Sequence, residues 1–524
     1  MKESQNPKRG IHRRDLIKGT AAAGLAFTVG VGGEPQAAAP ADDNPIRKEN
    51  AKPGTRDWLL TKTDVSNNEP VELWRSPRVE GYCSTTSVST GDTLKVMVST
   101  NPVSEFSLEI FRTGYYGGTG GRSMKKFESI QGKTQPDPAI GEHRLRECKW
   151  EASVEFEIPD DWVSGVYLGK LTAKKGGVQS YVIFFVRDAR PCDLLFQCSD
   201  TTWQAYNSWP TNEWSLYHTD EVRYTGYKKR KKWLSGGPTG WVSFDRPYGQ
   251  FCQDHLVDRP DSVGSGEFLL WEFPLTYWME QQSYDVSYQS GVDTHKDGPG
   301  LQRAKGFISV GHDEYWTRDM YDSAIAARDA GVNLAFLSGN AVLGVVPLLP
   351  SAEGQPHRIM LRESLFFGEQ FGRRPGAKYP PGPDGALLMG GRHAMGGVGG
   401  GDWVCAKPDH WVFEGTGMKK GDGVQGLVGW EWHSDPARDL PGHEILAEGE
   451  TKGGKDKSKP PHAATIYDGP KGNVVFNAAT IWWAQGLSSP PGHVLPAHRT
   501  QAQPQGPDPR VQRMTANVFD RFIQ

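Results

Sequence analysis

The chain has 524 residues and a formal net charge of −3, which excludes the broad basic surface that nucleic acid or an anionic membrane would demand. That length predicts two or three domains. A hydrophobic share of 37% with 63 Gly and 37 Pro describes a soluble, loop-rich globular protein, and 18 Trp, 17 Tyr and 21 Phe lean toward a β-sandwich core or an aromatic cleft.

At the N-terminus, Arg13 and Arg14 precede an Ala/Gly-rich apolar stretch that ends in small residues near Ala39-Pro40-Ala41. This pattern reads as a twin-arginine export signal over residues 1–41, with a basic disordered tail as the alternative. The apolar stretch is too short and too rich in Gly to anchor stably in about 30 Å of hydrocarbon. The expectation is a protein without a stable membrane anchor, exported to the periplasm or the outside of the cell. Because that route carries folded chains, a metal could be loaded before export. Residues 42–56 follow as a polar linker without periodicity.

From 57 to 190, short alternating runs such as "TLKVMVST", "FSLEIFRTG", "SVEFEIP", "GVYLGKLTAK" and "SYVIFFVRD" are separated by turn residues. Such spacing predicts an immunoglobulin-like β-sandwich. After Pro191 the style changes to continuous apolar runs that end in polar residues: "CDLLFQCSD", "GFISVGHDE" and "GVNLAFLSGN". The helical spacing of "TRDMYDSAIAARDAG", with Gly331 as its stop, lies between the last two. Residues 191–524 therefore read as an α/β domain with a mostly parallel sheet, of the glutamine-amidotransferase-like or flavodoxin-like class, in which 193–197, 306–310 and 333–337 are neighbouring strands. The aromatic segments 201–265 and 345–460 read as insertions over one rim of that sheet. The six cysteines do not amount to a disulfide framework; Cys83 and Cys148 could pair, and buried free thiol is the other reading for all six.

Ligands of open α/β sheets bind beyond the carboxyl ends of the strands. Three segments bring polar groups there: Asp200, Gln204, Tyr206 and Asn207; then His312 and Glu314; then Asn340. On an extended segment, residues two apart point the same way, so His312 and Glu314 are expected to share one cavity while Asp313 faces away. Plainer roles exist for each: interfacial aromatics for Tyr206 and Tyr248, an ion pair capping the next helix for His312 and Glu314, a turn residue for Asn340. The glycines of "GRHAMGGVGGG" at 391–401 lack the setting of a phosphate-binding loop and read as a flexible loop, and the basic run at 227–233 reads as a solvated face. No G-x-S-x-G elbow occurs, which argues against an ordinary serine hydrolase.

The ordered motifs "SDTTWQAYNSW", "SFDRPYG", "SVGHDEYW" and "LSGN", preceded by "GYCSTTSVSTGDTLKVMVST" and "EIFRTGYYGG", resemble the large (beta) subunit of bacterial N,N-dimethylformamidase over most of residues 70–490. The resemblance implies a mononuclear Fe(III) centre held by Tyr206, Tyr248 and Glu314, with His312 and Asn340 beside it and His312, Glu314 and Asn340 in catalytic roles. Three anionic oxygen donors suit a hard trivalent ion, and a phenol of pKa near 10 is a sensible ligand only beside such a cation. The function so implied is an exported iron-dependent amidohydrolase that cleaves an amide C–N bond through metal-activated water. Its substrate would be a small amide or a polymer, and a homo-oligomer or the family's small partner subunit is left open. Two alternatives remain: a metal-free carbohydrate-active enzyme working through Glu314 and a nearby Asp, and a non-catalytic protein that binds glycan or a cell surface.

Overall fold

Alternation before Asp188 becomes antiparallel pairing in the computed structural model, which describes residues 43–64, 75–211, 214–216, 240–249, 260–362, 365–368, 382–394, 399–429, 431–453, 461–493 and 504–524. The export-signal stretch, the basic run at 227–233 and Cys252 lie outside the described residues. Two sheets are built from the predicted runs. One has three strands in the order Glu80–Cys83, Thr93–Ser99 and Ala152–Glu157, all antiparallel. The other has five, in the order Ser87–Val88, Gln179–Val186, Gly165–Ala173, Phe106–Thr113 and Gly121–Ile130, antiparallel except for its first pair. Alternate residues of both sheets, among them Leu94, Val96, Val98, Leu108, Ile110, Phe156, Tyr167, Leu171 and Phe184, meet in one buried cluster. Each such side chain contributes about 1.5–3 kcal/mol on burial.

The continuous runs form a seven-stranded sheet in the order Val286–Ser290, Cys192–Cys198, Ala304–Gly311, Asn333–Ser338, Val474–Asn477, His462–Asp468 and Glu444–Gly449. The first five strands are parallel, and the last two are added antiparallel. Counted along the chain, the parallel strands lie in the order second, first, third, fourth, fifth. The direction of winding therefore reverses between Cys192–Cys198 and Ala304–Gly311, which opens a crevice at their carboxyl ends. Helix Arg318–Ala330 connects the third and fourth strands; the Thr317 hydroxyl accepts from the Met320 amide at 3.0 Å to start it, and Gly331 ends it with φ of 109°. The closing helix Pro509–Ile523 lays Phe522 against Gly306, where a Cβ would come within 2.6 Å of the Phe522 ring.

Residues 45–50, part of the expected linker, form a short helix because Asn44 accepts from the amides of Ile46 and Arg47 and Pro45 is preset for a first helical turn. Its Glu49 pairs with Arg122 and Lys52, both at 2.6 Å. The described parts of 391–401 are not loop: Arg392–His393 pairs with His433–Ser434, and Gly399–Val404 joins a three-stranded sheet with Gly423–Gly429 and Lys452–Gly453. Glycine serves close backbone approach there, since a Cβ on Gly401 would lie 2.5 Å from the Glu450 carbonyl oxygen. Cys83, Cys148, Cys192, Cys198 and Cys405 are buried free thiols. No helix among the described residues is long and apolar enough to cross a membrane.

Candidate active site at the sheet crevice

The Ala304–Gly311 strand ends in a turn that only glycine fits. Gly311 has φ of +67°, and a Cβ there would lie 2.5 Å from that of Trp271. The next residues are gripped by the loop after the neighbouring strand: the amides of Val342, Leu343 and Gly344 donate to the carbonyls of Asp313 (3.1 Å), Glu314 (3.0 Å) and Glu314 (2.9 Å), and Gly339 donates to Gly311 at 3.1 Å. That loop turns through Asn340 and Val342, both with positive φ (55° and 53°). On the other side, helix Asp200–Tyr206 is stitched to the same segment, with the Thr201 hydroxyl donating to the Tyr315 carbonyl (2.6 Å) and the Tyr315 amide to the Thr202 hydroxyl (3.0 Å).

These constraints bring Tyr206, His312 and Glu314 together. The Tyr206 hydroxyl donates to Glu314 Oε2, and His312 Nε2 stands 3.2 Å from the same oxygen. Asp313, between them, turns to the sheet, where its Oδ2 accepts from Ser309 and Gln197, both at 2.8 Å. Sequence reasoning missed Glu431: its Oε2 lies 2.9 Å from His312 Nε2. Burial works against charge on His312, but Glu431 and Glu314 outweigh it and raise its pKa to about 10, so the imidazolium persists at neutral pH. Burial also raises the Glu431 carboxyl above its ordinary range, with His312 and the Asn340 side chain opposing. Asn340 thus reaches the site through Glu431. Glu267, also missed, is fully buried, and burial pushes it up to about 7 against the pull of His312 and Trp271.

The other rim residues read from the sequence hold the surrounding structure, Asp200 and Asn207 through backbone and Gln204 through side chains. Asp200 Oδ1 accepts from the Gly291 amide at 2.6 Å, and burial pushes this carboxyl up to about 8. Gln204 Oε1 accepts from Arg246 Nε and Asn207 Nδ2, each at 2.9 Å. Asn207 spans the gap to Tyr248: its Nδ2 donates to the Pro247 carbonyl (2.9 Å), and its Oδ1 accepts from the Gly249 amide (3.0 Å). The segment carrying Tyr248 is therefore fixed to the residue next to Tyr206. The Tyr248 ring meets Trp203 edge-on, 6.2 Å between centroids, and packs against the same apolar cluster as Tyr206.

Glu431 arrives from the long insertion because its backbone enters beside Gly339. A Cβ on Gly339 would lie 2.4 Å from the Glu431 carbonyl oxygen and 2.6 Å from the Ile481 nitrogen. Two residues on, His433 Nε2 accepts from the Ala341 amide at 3.1 Å, and its Nδ1 donates to Asn477 Oδ1 at 3.0 Å. Burial pushes His433 down to about 4, so it stays neutral and keeps this tautomer.

Among the described residues, no trio of His, Cys, Asp and Glu could hold a metal. The set expected from the sequence differs in kind, two phenols and one carboxylate, and of these the structure brings Tyr206 and Glu314 into contact. Tyr206 already converges on Glu314, and Asn207 ties the Tyr248 segment alongside. Hard oxygen donors with a compensating −3 when ionised fit a ferric ion in their chemistry.

Comparison with known proteins follows the same residues. Positions 107–498 match the family described as N,N-dimethylformamidase beta subunit-like, C-terminal. The N,N-dimethylformamidase beta subunit of Paracoccus aminophilus is 22% identical over 238 residues, 39% of this chain and 29% of that subunit.

Proposed function

Because the chain belongs to the N,N-dimethylformamidase beta subunit-like family through residues 107–498, we propose that it is an amidohydrolase that cleaves an amide C–N bond at the crevice around His312. The observation that carries this reading is the position of His312 Nε2 between Glu314 Oε2 at 3.2 Å and Glu431 Oε2 at 2.9 Å, beside the Tyr206 phenol. We read the metal as mononuclear Fe(III) held by Tyr206, Tyr248 and Glu314. When bound, it would supply Lewis-acid polarisation of the amide carbonyl.

The protein's own groups account for the protons. Glu431 Oε2 takes a proton from the attacking water, a role that its raised pKa favours. His312, placed with Nε2 2.9 Å from Glu431 and 3.2 Å from Glu314, gives the proton on Nε2 to the departing amine nitrogen. Glu431 then returns its proton to His312 across 2.9 Å, so one proton of the water ends on the amine. The Asn340 side chain favours the carboxylate form of Glu431.

The N-terminal pattern supports an exported enzyme. The two N-terminal sheets, with their shared core, are consistent with an immunoglobulin-like sandwich, and the second-first-third-fourth-fifth strand order supports a flavodoxin-like α/β domain after it. The relative's name makes it one subunit of an enzyme, so this chain is expected to work with further copies or with a small partner subunit.

The test is to measure iron, visible absorption and amide hydrolysis in Tyr206→Phe, Tyr248→Phe and Tyr315→Phe. Phenolate on Fe(III) absorbs visible light, so the first two variants should lose colour, iron and activity. Tyr315→Phe keeps the backbone groups that hold Thr201 and Thr202 and should retain all three. Iron uptake undiminished in the first two would overturn the ligand set, and an active parent that takes up no iron would overturn the metal.

A further inference from the structure

Both tyrosine-bearing segments are fastened to the N-terminal region, one to a sheet strand and the other to the loop before Ala152–Glu157, each three residues from its tyrosine. Beyond Tyr206, Trp209 is fully buried and its Nε1 donates to Glu80 Oε2 at 2.9 Å. Glu80, on the first strand of the three-stranded sheet, receives Arg75 on its other oxygen, and that guanidinium also lies 5.0 Å over the Trp209 ring. Trp150 meets Trp209 edge-on at 6.0 Å, and both share a buried cluster with Tyr82, Met97 and Cys148. Before Tyr248, the Asp245 carbonyl accepts from the Cys148 amide at 2.8 Å, while Arg358 holds Asp245 Oδ1 at 2.7 and 3.1 Å.

Between these two fasteners lies a cleft of about 20 Å³, walled by Gly81, Tyr82 and Cys83 of the N-terminal sheet and by Arg246 and Tyr248. That is room for about one water. Arg246 completes the joint, donating to the carbonyls of Asn207 (2.9 Å) and Trp209 (3.2 Å).

We propose that the three-stranded N-terminal sheet and the loop leading into its Ala152–Glu157 strand are a positioning element of the catalytic centre: through Glu80 to Trp209 and Cys148 to Asp245, they set the spacing of the Tyr206 and Tyr248 phenols. The inference rests on the iron-binding reading above. A buried fastener outside the ligand set restricts where its ligand can go, and loss of such outer partners costs about 10- to 100-fold in metal affinity. Glu80 is suited to this role because removing its carboxylate strands the buried Trp209 N–H, while Arg75 keeps Asp137 at 2.7 Å as a second partner.

The experiment compares the parent with Glu80→Ala, Glu80→Gln and Phe156→Leu. The last loosens the N-terminal core, in which Phe156 packs, without touching Trp209. Ferric-iron affinity, the visible absorption band and thermal midpoint are measured on each full-length protein. Glu80→Ala should bind iron about 10- to 100-fold more weakly, with a shifted band. Glu80→Gln keeps an acceptor for Trp209 and should recover part of the affinity, and it alone is read if Glu80→Ala fails to fold. Phe156→Leu should lose thermal stability yet keep parental affinity and band. Parental iron binding in the Glu80 variants, or an equal loss in Phe156→Leu, overturns the inference while leaving the metal reading intact. A parent that takes up no iron overturns both.

Discussion

The carbonyl oxygen of Glu431 occupies the space next to Gly339 that any side chain would need, 2.4 Å from where a Cβ would be built. The loop after Asn333–Ser338 and the insertion that supplies the second carboxylate are thereby locked at backbone level. Gly339→Ala should push the two apart, because the opposing atoms, Glu431 O and Ile481 N, belong to main chain that cannot rotate away. The expected cost is about 1–3 kcal/mol of stability, with a fall in turnover larger than that loss explains. Thermal unfolding and kcat measured on one preparation check it.

Glu431→Gln keeps the shape of the side chain but removes one of the two charges that sustain the His312 imidazolium. The pKa of His312 should fall from about 10, because burial then opposes a single carboxylate. NMR titration of the imidazole reads the shift directly. If Glu431 is the base that takes the water proton, turnover drops by about 10²- to 10⁴-fold.

Asp200 allows a pH prediction away from the proposed metal ligands. Its carboxyl is raised to about 8 in the folded chain against about 3.9 when unfolded. Folding therefore takes up a proton between those values, and the contribution to stability is full below the unfolded pKa and is lost as pH rises through about 8. The slope from this group is about 1.4 kcal/mol per pH unit within the window. Asp200→Asn keeps an oxygen for the Gly291 amide and should flatten the decline, so its advantage over the parent is larger at pH 9 than at pH 5. Urea unfolding at the two pH values decides it.

The sequence makes one half of the crevice readable. An apolar run that ends in Gly311 and is followed by His312-x-Glu314 fixes the strand end, the turn and the shared face of the two side chains, because strand alternation is a local property. Glu431 is another matter. It sits in "EWHSD", inside an insertion without clear periodicity, and only the close approach at Gly339 places it beside His312. A signal was available in the Glu431-x-His433 spacing next to Trp432, which mirrors the spacing at 312–314, but it names no partner by itself. Asp200 and Asn207 show the converse: polarity at a strand end marks backbone in need of partners as readily as a ligand site. The glycines at 399–401 were legible only as freedom, whereas their use is closeness to Glu450 and to the facing strand.

The order of the seven strands has a bearing on unfinished chains. Val474–Asn477, the last strand in sequence, lies between Asn333–Ser338 and His462–Asp468, and its arrival completes the centre of the sheet. A nascent or truncated chain that stops before it presents Asn333–Ser338 as a bare apolar edge, with unpaired amides and carbonyls along one side. Such an edge is a template for a neighbouring chain. Termination before Val474 should therefore yield aggregates, which a quality-control protease or chaperone must clear, instead of a folded chain of reduced stability.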